Sequence, residues 1–144
     1  FIVQLPLRSF GNAGTNINGY LPIPQKRRLR SVNRDKKRYW LYGRVASPDT
    51  WALENQMNYL RSFAEKHQLN VVGESQDEAS GLTFDRPGLN DFLEAVRQGR
   101  ADALLTKDLT RLGRDVMQTA SWIADLNTSG VGVFSVTDLT LRGL

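Results

Sequence analysis

Four arginines in this 144-residue chain sit where positive charge could be put to chemical use. Arg44 closes the run "YWLYGRV", Arg86 lies in "GLTFDRPGL", and Arg111 and Arg114 share "KDLTRLGRD". A guanidinium stays charged and presents a planar fork that matches two phosphate oxygens at once. Several around one point suit a phosphoryl transition state, in which negative charge spreads over the equatorial oxygens. For any one of these arginines, a surface ion pair with Asp77, Asp85, Asp108 or Asp115 is the better reading. Four arriving from separate loops favour phosphate. Arg111 and Arg114 are three apart and would point the same way on a helical turn.

Other chemistries find little support. His67, the single histidine, falls at the end of a predicted helix and reads as a helix-end cation. A Ser-His-Asp triad would have to be built on it. There is no cysteine, so no disulfide and no thiolate metal site. No His/Asp/Glu set has metal-ligand spacing. Asp77 and Glu78 are adjacent and would face apart. Gly11, Gly14 and Gly19 do not make GxGxxG and follow no buried strand. No metal or cofactor is expected.

The elements that must position the arginines are regular from residue 39 onward. "YWLYGRV" reads as a strand, and "TWALENQMNYLRSFAEKH" as a helix with Leu53, Met57, Leu60 and Ala64 on one face. "LNVVGE" is a second strand. Asp85 can cap the next helix and Pro87 suits its first turn, with Leu89, Phe92, Leu93 and Val96 inward and Gly99 at its end. "ADALLT" is a third strand. "RDVMQTASWIADLNTSG" is a helix with Val116, Ala120, Ile123 and Leu126 inward and Gly130 closing it; "VGVFSV" is a fourth strand. Strands alternating with helices predict an α/β fold, a mostly parallel four- or five-stranded sheet flanked by helices. Such sheets place functional groups beyond the carboxyl ends of their strands, where these arginines fall.

Charge divides the chain. Residues 1–38 carry nine basic side chains and one acid, a net of +8, whereas residues 39–144 carry ten and fourteen, a net of −4. Residues 1–38 are therefore read as a basic, weakly ordered arm, and residues 39–144 as the folded domain. Lys26, Arg27, Arg28, Arg30, Lys36, Lys37 and Arg38 could bind nucleic-acid phosphates without reading sequence. On its own, such a run is slightly more often a solvated linker. No stretch approaches the ~20 apolar residues of a membrane span, and no secretory leader is visible. A cytoplasmic protein is expected.

Four pieces, "YGRVAS" at 42–47, "ENQ" at 54–56, "DEASGLTFDRPGL" at 77–89 and "KDLTRLGRD" at 107–115, resemble the catalytic domain of serine recombinases. That family comprises the resolvases and invertases with their large serine integrase and transposase relatives. The resemblance covers about residues 39–138 and implies a resolvase-like catalytic domain. It implies DNA cleavage and rejoining without metal or nucleotide, through a 5′-phosphoserine link and a free 3′-hydroxyl, with strands exchanged between subunits of a tetramer and a dimer or tetramer as the full-length assembly. It assigns Arg44, Arg86, Arg111 and Arg114 to the phosphate, Gln56 to ordering the site and Asp77 to its acidic member. It also implies a long dimerisation helix and a DNA-binding domain after the fourth strand. This chain ends at "TDLTLRGL" and so reads as an isolated core, monomeric or weakly associating, with weak DNA affinity.

Two positions depart from the pattern. Thr110 stands where the resolvases commonly carry aspartate. Ala46 stands at the position of the nucleophilic serine, and a methyl group cannot attack phosphorus. Ala46 can mark a deliberately inactivated enzyme, a naturally silent DNA- or partner-binding homologue, or an enzyme attacking through Ser47. The last is weakest, because strand neighbours face opposite ways and Ser47, before Pro48, reads as a helix N-cap. Cleavage is not expected of this chain.

Overall fold

The computed structural model describes residues 37–141, which form four strands and four helices. They are β1 (Arg38–Val45), α1 (Thr50–Lys66), β2 (Asn70–Glu78), α2 (Pro87–Arg97), β3 (Ala103–Thr106), α3 (Val116–Thr128), β4 (Gly132–Ser135) and α4 (Val136–Leu141). A 3₁₀ turn, Leu109–Arg111, lies between β3 and α3. The strands make one parallel sheet in the order β2-β1-β3-β4.

The alternation of side chains along β1 builds two cores. Trp40 and Tyr42 face a cluster with Phe84, Phe92, Leu93 and Trp122, under α2 and α3. Tyr39 and Leu41 face the opposite cluster, with Met57, Leu60, Val136 and Leu139 from α1 and α4. Period-2 alternation makes one central strand the partner of helices on both sides. The described part of α4 follows directly on β4, and the Ser135 hydroxyl accepts from the Asp138 N–H at 3.0 Å. The apolar run "VGVFSV" predicts a strand through Val136, but β4 ends at Ser135 and a helix follows, with Ser135 and Asp138 three residues later at its start.

Helix starts differ from expectation at two points. Asp49, not Ser47, caps α1, accepting from the Ala52 N–H at 3.0 Å, while Ser47 is exposed ahead of the helix. Helical backbone begins only at Thr50, so Asp49 occupies the capping position. At α2, Pro87 takes the first helical position, which makes Arg86 the capping residue, and no side chain caps it. Asp85 lies one residue too early and instead accepts from the Asn90 side chain. Gly99 and Gly130 close α2 and α3 at φ +74° and +83°, as their type requires.

α3 is rotated from the inward face expected. Leu126 is buried as expected and Ile123 is half-buried against the core, but Thr119 and Trp122 take the inward places of Val116 and Ala120, which are exposed. Trp122 decides the rotation by stacking on Phe84, with ring centroids 5.0 Å apart and planes 4° from parallel.

β1 and β2 meet closely at one glycine. A Cβ on Gly73 would lie 2.3 Å from the Trp40 ring. The Trp40 indole N–H donates to Ser75 Oγ at 2.8 Å, and that hydroxyl donates to the Gly88 carbonyl at 2.6 Å, tacking α2 onto β2. Gly73→Ala is expected to destabilise the domain by about 1–3 kcal/mol through overpacking. Urea unfolding measures the loss, and a smaller loss in the Trp40→Phe background would identify the indole as the cause.

Candidate phosphate-binding site

Because β1, β2 and β3 run parallel, their carboxyl ends share one edge. The exits of β1 and β2 are tied there by a hydrogen bond from the Ala79 N–H to the Val45 carbonyl, 3.0 Å long. Gln56, buried on α1, fixes the end of β1 from the other side. Its amide oxygen accepts from the Arg44 N–H at 2.9 Å, and its amide nitrogen donates to the Arg44 carbonyl at 3.2 Å. A Cβ on Gly43 would lie 3.1 Å from the Gln56 amide oxygen, so glycine here lets α1 approach.

The Arg44 side chain is held by carbonyl oxygens. Nε donates to Arg111, Nη1 to Ala79 and Nη2 to Thr110, at 2.9, 2.8 and 3.0 Å. Arg86, 1% exposed, is held similarly. Its Nε donates to the Thr83 carbonyl at 2.7 Å, Nη2 to the Leu112 carbonyl, and Nη1 to the Tyr42 hydroxyl at 2.8 Å and more weakly to the Arg111 carbonyl at 3.4 Å. The Tyr42 hydroxyl donates onward to Asp77 Oδ2 at 2.7 Å, and Asp77 Oδ1 accepts from the Gly88 N–H at 2.9 Å. Asp77, Tyr42 and Arg86 thus form a buried chain linking β2, β1 and the start of α2 to the loop after β3.

Arg111 and Arg114 occupy the outer layer. Arg111 is half-buried, with Nε 3.7 Å from Asp108 Oδ2, and Arg114 is exposed. They do not share a helical turn, because the 3₁₀ turn ends at Arg111 and α3 begins only at Val116. Arg114 is placed instead through its backbone, whose N–H donates to the Gly81 carbonyl at 3.0 Å. A Cβ on Gly81 would lie 2.8 Å from Arg114 Cγ and 3.0 Å from Arg44 Nη2. Thr110 is exposed, and its N–H and hydroxyl both turn to Asp108 Oδ1. Ala46 and Ser47 are exposed just beyond β1.

The four arginines lie close enough to feel one another. Burial pushes the Arg44 guanidinium below its usual range, and the charges of Arg86, Arg111 and Arg114 push it further the same way. Burial raises the Tyr42 phenol well above the usual tyrosine range, so it remains a hydrogen-bond donor to Asp77. This concentration of positive charge is suited to an anion with several oxygens.

An open groove of about 650 Å³ runs from this cluster along α3, past Arg44, Arg111 and Arg114 to Val116, Thr119 and Ile123. Its wall is the face of α3 that sequence periodicity assigned to the core. Among the described residues, no group of three His, Cys, Asp or Glu could hold a metal, and no helix is long and apolar enough to cross a membrane.

The structure therefore gathers Arg44, Gln56, Asp77, Arg86, Arg111 and Arg114 at the edge beside Ala46. It presents Arg111 and Arg114 outward and turns Arg44 and Arg86 onto protein oxygens. Lys26, Arg27, Arg28, Arg30 and Lys36 lie outside the described residues. Lys37 rests over the Phe134 ring at 5.5 Å. Arg38, grouped with the arm by its charge, opens β1 and pairs with Asp102 at 2.9 Å. Sequence reasoning missed Tyr42, which looks like one more apolar strand residue, and it missed the loop carbonyls, which no side-chain pattern reports.

The "Resolvase, N terminal domain" family model matches residues 39–142. The chain belongs to this family. Sixty-three of its residues are 36% identical to the serine recombinase gin of Escherichia phage Mu, covering 44% of this chain and 32% of gin. The match to the DNA-invertase hin of Salmonella typhimurium is 38% over the same length and shares. The matched stretch thus spans about a third of these curated relatives. Among solved structures, the C-terminal catalytic domain of ISC1926 TnpA, an IS607-like serine recombinase, is 33% identical, with a TM-score of 0.62 over 69% of this chain and 67% of that one. The N-terminal catalytic domain of TP901-1 integrase shares the fold at TM-score 0.62 and 24% identity, over 70% and 78%.

Within this resolvase-type domain, Gln56→Ala is expected to cost about 2 kcal/mol, since it leaves the backbone N–H and carbonyl of Arg44 without their partners. The exposed neighbour Glu54→Ala should stay within about 0.5 kcal/mol. Chemical denaturation of the two variants checks both.

Proposed function

We propose that this chain is the catalytic domain of a site-specific serine DNA recombinase with alanine at the attacking position, so that it holds a DNA phosphate without cleaving it. The supporting observation is the cluster of four guanidiniums at the exit of β1, beside residue 46. Arg111 and Arg114 meet the phosphate oxygens from the outer layer. Gln56, Asp77, Arg44 and Arg86 set the loops from which they act. The full protein works as a dimer or tetramer on DNA in the cytoplasm, and no metal or nucleotide enters the reaction.

With serine at 46, the step balances simply. Its Oγ bonds to phosphorus, the P–O3′ bond breaks, Oγ loses its proton and the leaving O3′ gains one. The product is a 5′-phosphoserine link and a free 3′-hydroxyl. The reverse step rejoins a strand. With a methyl group at 46 neither direction is open, and exposed Ser47 lies one residue beyond the attacking position.

A second reading, a naturally non-catalytic homologue that binds DNA or partner subunits, is favoured by Ala46 itself. Ala46→Ser separates the two. A covalent protein–DNA adduct at residue 46 on a nicked suicide substrate, absent for the unaltered chain, is expected of the first reading. The gain should be on the order of 10⁶ in rate, the scale on which subtilisin loses activity without its serine. No adduct would favour the second reading, and an adduct at Ser47 would overturn both.

Phosphate contact also predicts salt dependence. Arg111→Ala and Arg114→Ala should each flatten the plot of log affinity against log salt by about 0.9 for duplex DNA. Fluorescence anisotropy at several salt concentrations reads the slope.

A further inference from the structure

We propose that the outer face of α1 stacks unpaired DNA bases beside the phosphate site, with Trp51 as one platform and Tyr59, next to Lys107, as a second. The inference rests on the proposed function for the identity of the nucleic acid as DNA. Trp51 is 76% exposed, whereas the other two tryptophans, Trp40 and Trp122, are buried. The packing of α1 makes no use of it, because Leu53, Met57, Leu60 and Ala64 face the sheet from the other side of the helix. An indole left in water forgoes a large apolar burial and calls for a partner. Trp51 lies in the first turn of α1, five residues beyond Ala46, and so borders the edge that carries Arg111 and Arg114.

The outer surface of α1 is sorted by charge into two rows. On the β2 side, Arg61 gathers the acids. It pairs with Glu74, is close enough to Glu54 to feel its charge, and donates to Asn58 Oδ1 at 2.8 Å. Glu65 falls one turn further along the same row. Asp49 is turned to the Ala52 N–H at the helix cap. Trp51, Asn55 and Tyr59, at i, i+4 and i+8, form the second row, and Ser62 and Lys66 continue it without an acid. Its neighbour from the sheet is basic as well: Lys107, just after β3, places Nζ 5.4 Å from the centre of the Tyr59 ring. β3 and β2 flank β1 on opposite sides, so the acid-free row lies toward the loop that leads from Lys107 to Arg111. Trp51 and Tyr59 are about 12 Å apart along the helix axis, three to four nucleotides at the ~3.4 Å spacing of one strand. Aromatic faces beside cations suit a single strand, because every base has a π-face and every link a phosphate. A duplex hides its base faces in stacking, so this surface takes strand ends or unpaired bases. Asn55 and Ser62 between the rings match base edges, whereas an apolar protein partner would leave them unsatisfied.

The test is a fluorescence titration of the unaltered chain with a thymidine octanucleotide, against an abasic octanucleotide that carries the same phosphates. Because Trp40 and Trp122 are buried, quenching reports Trp51. The thymidine strand should quench the emission as it binds, and the abasic strand should bind without quenching. Trp51→Ala, a change at an exposed position, should weaken the thymidine strand about tenfold, to the level of the abasic one, which is the scale of one stacked base. Trp51→Phe should keep most of the affinity. Trp51→Ala should also leave the slope of log affinity against log salt unchanged, whereas Lys107→Ala should flatten it by about 0.7 for a single strand. Equal affinity for the two strands, or thymidine binding without quenching, would overturn the stacking platform and leave the phosphate site standing. Binding of neither strand would overturn the phosphate reading together with this one. Emission that changes with protein concentration in the absence of DNA would assign the face to a second copy of this chain and overturn the proposal.

Discussion

Two buried guanidiniums, Arg44 and Arg86, hold the carbonyl oxygens of the loop after β3, and the edge of the sheet is organised by that grip. The hydrogen bonds of the Arg44 side chain end on the carbonyls of Ala79, Thr110 and Arg111. Arg86 adds Leu112 and Thr83, and shares Arg111. The loop is anchored in the core by Leu112 and capped by Asp108, and the two charges below it hold its carbonyls. A buried charge without partners is strongly destabilising, so the carbonyls and the arginines hold each other in place.

The sheet makes this possible by sending three strands to the same edge. Parallel pairing puts the ends of β1, β2 and β3 side by side, so residues far apart in the chain become neighbours. Gln56 reaches across from α1 to hold β1, and Asp77 reaches across from β2 to hold Tyr42 and α2. Glycines at 43, 81 and 88 lie where a side chain would meet Gln56, Arg114 or Asp77 at about 3 Å or less. The site is thus built on rigid elements, with only Arg111 and Arg114 on its outer layer.

That division separates two kinds of work among similar residues. The inner arginines donate to protein carbonyls, and Arg111 and Arg114 lie in the outer layer. Burial first, and then the charges of Arg86, Arg111 and Arg114, lower the affinity of Arg44 for its proton, and a phosphate at the outer layer would relieve the repulsive part. Ala46 lies beside this arrangement without disturbing it, since an exposed methyl group asks nothing of its surroundings.

The order of elements from β1 to β4 was legible because it depends on local pattern, whereas α4, which follows β4 directly, was not. Alternation in β1, the helical spacing of Leu53, Met57 and Leu60, and the glycines that end α2 and α3 act within a few residues. The arginine cluster was legible too, since a parallel sheet must bring its strand ends together. Three further features were not. The inward face of α3 depended on Trp122 stacking on Phe84, a contact between distant segments that outweighs the apolar row at Val116, Ala120 and Ile123. Asp49 rather than Ser47 caps α1 because of where helical backbone begins. The direction in which each arginine points depended on carbonyl oxygens that every residue carries and no sequence distinguishes. Sequence by itself determined which charges gather at the edge of the sheet; tertiary structure alone decided which face solvent, because burial and backbone hydrogen bonding exist only once the chain has folded.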